Sequence, residues 1–66
     1  MDVNELAKLQ QYFRDKFGSE NISVRGRPKK DDSAEVYVGE EFLGVIFKDD
    51  EDDYNFDMAI LAVDLP

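Results

Sequence analysis

The 66-residue chain contains no cysteine and no histidine. Without cysteine there is no disulfide framework, and without either residue there is no zinc site of the usual sulfur and imidazole ligands. A Ser-His-Asp triad, a thiolate nucleophile and an imidazole base are excluded for the same reason. No Gly-rich phosphate loop or dinucleotide fingerprint is present. No apolar run approaches the roughly 18 residues of a membrane helix, so no membrane association is expected. The opening MDVNELAKLQQ lacks the basic start and apolar core of a secretory leader. The expectation is a cytoplasmic protein that is not an enzyme and uses no cofactor and no specific small molecule.

Positive charge is also scarce, and it is unevenly placed. Eight Lys/Arg face sixteen Asp/Glu, for a net charge of −8. Residues 1–30 hold seven bases and four acids, whereas residues 31–66 hold one base and twelve acids. The whole-chain charge opposes binding to a polyanion, although a local basic patch still acts at short range because salt screens the rest beyond about 10 Å.

A chain this short forms one domain, residues 1–66, and buries only about 60% of the surface exposed when unfolded. Ordering each residue costs about 1.5 kcal/mol, which leaves such a chain close to zero net stability unless something supplements the core. With disulfides and metal excluded, idealised packing and self-association remain.

Periodicity indicates how the chain is organised. Leu6, Leu9, Phe13 and Phe17 recur on one helical face, Asp2 and Glu5 form a capping box, and Gly18 suits a left-handed terminus. A helix over residues 3–17 follows, with Gln10, Gln11, Arg14 and Asp15 mainly on its polar side. Period-two alternation then predicts strands at about 21–27, 33–38, 42–48 and 54–64. PKKDDS and the short connections after it suit hairpins and not βαβ crossovers. The expected fold class is α+β, an N-terminal amphipathic helix packed on a four-stranded antiparallel meander.

The third strand is apolar on both faces. Strict alternation turns Phe42 and Ile46 one way and Leu43, Val45 and Phe47 the other. One helix covers one face of a sheet, so the second needs another cover. Leu43, Val45 and Phe47 are therefore the expected face for a homodimer or another protein partner.

Two polar stretches invite sharper readings. RGRPKK spells the core of an AT-hook, and Arg25, Arg27, Lys29 and Lys30 form the one concentrated basic patch. A hook needs a flexible extended segment in a basic context. Here Asn-Ile-Ser-Val precedes it as a strand and Asp31-Asp32 follows at once. Gly26 reads as a bulge or a close approach in an edge strand, and Pro28 as its end. The acidic stretch Asp49, Asp50, Glu51, Asp52 and Asp53 offers weak metal-ligand candidates. An EF-hand starting at Asp49 would place Tyr54 where glycine is needed and Ile60 where the bidentate Glu belongs, so no specific metal site is expected.

The stretch RPKKDDSAEVYVGEEFLGVIFKDDEDDYNFDMAIL, with LAKLQQYFRDKFG before it, resembles a family of small alphaproteobacterial proteins classed as a domain of unknown function. The resemblance implies an intracellular bacterial protein standing as one short domain, and it carries over no activity, cofactor or catalytic residue. A protein-interaction or adaptor module that self-associates is the functional expectation. The alternative is a nucleic-acid-binding protein contacting phosphates through Arg25 to Lys30.

Overall fold

The computed structural model describes residues 1–66. Helix α1 (Val3–Phe17) precedes strands β1 (Ile22–Arg27), β2 (Lys30–Val38), β3 (Glu41–Lys48) and β4 (Tyr54–Asp57), and a 3-10 turn spans Ala62–Asp64. The four strands form one antiparallel sheet in sequence order, with α1 along β1, so the fold is α+β.

Asp2 caps α1, its carboxylate accepting a hydrogen bond from the Glu5 backbone N–H at 2.7 Å. The reciprocal half of the capping box does not form, because the Glu5 side chain turns instead to Lys48 and Tyr54. At the other end Gly18 adopts φ 63°, and its N–H donates to the Arg14 carbonyl. A side chain in this left-handed conformation would be strained.

Leu9 and Phe13 of α1 meet Ile22 and Val24 of β1, Ala34 and Val36 of β2 and Ile46 of β3 in a single buried cluster. Phe56 of β4 joins from the side, its ring edge-on to Phe13 at 5.2 Å. Full burial of a side chain such as Ile46 or Val36 stabilises the fold by about 1.5–3 kcal/mol. Phe17, on the same helical stripe, stacks on Phe13 at 5.7 Å but is 59% exposed.

The polar side of α1 is not idle. Gln10 accepts a hydrogen bond from the Val24 N–H, and the Arg14 Nε donates to the Ile22 carbonyl at 2.8 Å. Both backbone groups lie on the outer edge of β1, so helix side chains take up part of that edge and make it a poorer template for another chain.

Two bulges bend the sheet. The β1–β2 register shifts between Gly26 and Arg27, and the intervening turn is only Pro28-Lys29, with Lys30, Asp31 and Asp32 already in β2. In β2–β3, Val36 pairs with Gly44 but Tyr37 pairs with Phe42, which leaves Leu43 as an inserted residue. The insertion reverses the alternation. Phe42 therefore sits on the outer face, ring edge-on to Tyr37 at 5.7 Å, while Leu43 packs against the core cluster. This corrects the strict alternation expected from the sequence, which put Phe42 with Ile46 and Leu43 with Val45.

The fourth strand is also shorter than the 54–64 expected. Its last pair with β3 is Val45–Asp57, and beyond it β3 bends away at Gly44 and Leu43. Gly44 is required there: a Cβ would overlap the Asp57 carbonyl oxygen and lie 3.0 Å from Phe56 Cε1. Having lost its partner strand, the chain leaves the sheet. Met58, Ala59, Leu61 and Asp64 then share a cleft with Phe42, Val45 and Phe47 on the outer face. No helix is long and apolar enough to cross a membrane.

Candidate functional site

The outer face of the sheet is divided by polarity. On the β1–β2 side, Arg25 stacks over the Tyr37 ring at 4.0 Å and lies 3.8 Å from Glu40. Arg27 lies 3.9 Å from Glu35 and hydrogen-bonds Ser33. Tyr37 donates to Glu35 at 2.9 Å, and this bond raises its pKa above the ordinary value. Lys29 and Lys30 stand apart at the hairpin turn, both exposed, with Asp31 and Asp32 beside them. The four basic residues thus do not form one free patch, since both arginines already have acidic partners.

On the β3–β4 side the outer face is apolar. Val45 is half-buried, whereas Phe42 is 50% and Phe47 41% exposed. The tail residues around them leave a cleft of about 710 Å³. Of the three expected contact residues, Val45 and Phe47 are together here and Leu43 lies between the cleft and the core. Phe42, Met58 and Leu61 add to the surface, and Asp57 and Asp64 border it. The sequence signal for Phe42 was hidden by the bulge, and that for the tail by a strand pattern that the monomer does not use.

A second surface lies on the helix side of the sheet. Because α1 follows β1, a groove of about 590 Å³ opens between α1 and β4. Leu9, Phe13, Phe17, Ile46 and Phe56 line it, with Tyr12, Lys8 and Lys16 along the helix rim. A signal for it existed in the sequence: a helix about 10 Å across cannot cover four strands spaced about 4.8 Å apart. Beside the groove runs the free edge of β4, whose outward backbone groups have no hydrogen-bond partner in the chain.

One polar cluster ties the end of this groove shut. The Glu5 carboxylate lies 2.7 Å from Lys48 Nζ and accepts a hydrogen bond from the Tyr54 hydroxyl. The Lys48 contact, then the Tyr54 bond, holds the Glu5 pKa below its usual value. The same carboxylate raises the pKa values of Lys48 and Tyr54. The arrangement joins the start of α1 to β3 and β4, and it is structural in character.

The acidic loop is organised around its own backbone. Asp49 accepts from the Glu51 and Asp53 N–H groups at 2.9 and 3.0 Å, and Asp52 adopts a left-handed φ of 64°. Asp50, Glu51 and Asp53 are exposed, and no three acidic groups converge closely enough to make a cation-binding cluster.

Comparison with curated proteins and with solved structures returns no match. Residues 5–64, almost the whole chain, match a family described as protein of unknown function (DUF3126), and the chain belongs to that family.

Proposed function

We propose that this protein is a protein-interaction module, acting through its apolar surfaces, which associates with copies of itself in a bacterial cytoplasm and catalyses no reaction. One observation carries the reading. Phe42, Phe47, Met58 and Leu61 are each at least 41% exposed, and they line one cleft on the outer face, beside the end of β4. Isolated exposed apolar residues are ordinary, but a contiguous group of this kind marks an association surface. The thin core gives a second reason, because burial against a partner adds what a small domain lacks.

Nucleic-acid binding through Arg25 to Lys30 is disfavoured by the ion pairs of both arginines and by the net charge of −8. Size-exclusion chromatography with light scattering over a concentration series tests the proposal. The expected result is a mass rising from monomer toward dimer, reduced by Met58→Ser. A constant 7.6 kDa overturns self-association. Salt-sensitive binding of labelled duplex or single-stranded RNA, lost in Arg27→Ala, would support the alternative instead.

A further inference from the structure

The two edges of the sheet are treated differently. Gln10 and Arg14 engage two edge groups of β1, the Val24 N–H and the Ile22 carbonyl, whereas nothing engages the outward groups of β4. Directly beyond β4 comes MAILA, a continuous apolar run that the monomer leaves out of the sheet, with Ile60 69% and Leu61 57% exposed. An open strand edge, an apolar groove next to it and an unused apolar segment all meet at one place. We propose that two copies pair antiparallel along this edge, with Met58–Ala62 straightening to prolong β4, so that Ile60 of each copy enters the groove between α1 and β4 of the other. The inference rests on self-association as the function and specifies its geometry.

Side-chain parity restricts the register. Tyr54 bonds Glu5 on the helix and Phe56 packs on Phe13, so even-numbered residues of β4 face α1. Opposed residues in an antiparallel pair share a face, and a slip of one residue would turn every side chain over. The pairing is therefore even with even. A two-fold axis at Met58 opposes Phe56 to the partner's Ile60, Tyr54 to the partner's Ala62 and Asp57 to the partner's Ala59. Placing the axis at Asp57 would oppose two carboxylates. The axis at Met58 avoids this and uses the whole apolar run.

The partner's Ile60, one strand spacing of about 4.8 Å from Phe56, lies over the groove lined by Leu9, Phe13, Phe17 and Ile46. Charge is compatible with the arrangement. Glu51 in one acidic loop lies seven residues from the axis, so at about 3.3 Å per residue the two loops are about 45 Å apart, several screening lengths. The remaining repulsion between two acidic chains is diffuse, and added salt strengthens the dimer. Ordering the tail offsets part of the gain.

The chain has no cysteine of its own, so single introduced cysteines report geometry cleanly. Met58→Cys and Phe47→Cys replace side chains that are 49% and 41% exposed, and circular dichroism confirms that each variant folds. Under mild oxidation Met58→Cys is expected to form a covalent dimer at least tenfold faster than Phe47→Cys, since strand pairing brings the two copies of residue 58 within disulfide range. Ile60→Asp is expected to weaken association at least tenfold. Preferential cross-linking of Phe47→Cys overturns the edge pairing while leaving self-association intact. Strictly monomeric sedimentation of the unmodified chain at about 200 μM overturns both.

Discussion

Replacing Gly44 with alanine tests the junction on which both proposed surfaces depend. An added Cβ meets the Asp57 carbonyl oxygen head-on, with the Asp57 carbonyl carbon at 3.2 Å and Phe56 Cε1 at 3.0 Å. Two of the three obstacles are backbone, so no rotamer change relieves them. Either β4 separates from β3 or the bulge at Leu43 rearranges. Overpacking of this kind costs about 1–3 kcal/mol, and a backbone obstacle places Gly44→Ala near about 3 kcal/mol. A chain of this length has a stability of roughly 3–10 kcal/mol. The loss is thus a third or more of the total, equivalent to a fall in Tm of about 12–24 °C. Gly26→Ala is the control, since its Cβ would meet only the flexible Leu6 Cδ1, at 3.2 Å. It is expected to cost under about 1 kcal/mol. Urea unfolding followed by circular dichroism measures both. Equal unfolding midpoints for Gly44→Ala and the unmodified chain would refute the close approach of β3 and β4.

Three further outcomes are expected. The Glu5–Lys48–Tyr54 cluster stabilises within a pH window: the depressed Glu5 pKa makes its contribution present above the ordinary 4.5 and lost as pH falls through the lower folded value. The raised Lys48 and Tyr54 pKa values make theirs present below 10.5 and 10.0 and lost as pH rises through the higher folded values. Glu5→Gln is expected to remove much of this pH dependence in thermal melts. Gln10→Leu strips the Val24 N–H of its acceptor, so that amide is expected to exchange with solvent faster and stability to fall by about 1–2 kcal/mol in urea unfolding. Asp52→Gly relieves a left-handed backbone at an exposed position and is expected to raise the urea midpoint by the equivalent of about 0.5–1 kcal/mol.

The fold class was legible because its signals are local. The stripe of Leu9 and Phe13, the Asp2 cap and the alternation through Ile22–Val24 and Ala34–Val36 each point to one element. What could not be read was set by long-range geometry. The bulge at Leu43 is visible only against β2, and it moves Phe42 to the outer face. The end of β4 at Asp57 depends on Gly44 and on where β3 turns away, although MAILAV carries the apolar run onward. The basic patch was legible as composition alone. Its arginines are engaged by Glu35, Tyr37 and Glu40, and nothing in RGRPKK announces those partners. The Glu5 cluster joins residues more than 40 positions apart, a pairing that periodicity does not reveal.

Surface electrostatics separate the proposed association from the polyanion alternative in one further respect. Two copies that each carry −8 repel, and salt screens that repulsion. Binding to a nucleic acid through Lys and Arg weakens steeply with salt because counterions are released. The sign of the salt effect is therefore diagnostic of the partner class.

Sedimentation equilibrium of the unmodified chain at about 0.05 M and about 0.5 M salt is the most direct test of the central claim that the exposed apolar surface is an association surface. The expected result is a monomer–dimer equilibrium that tightens at the higher salt, approaching twice the 7.6 kDa monomer mass at the highest concentrations. A 7.6 kDa species at every concentration and both salts would contradict it.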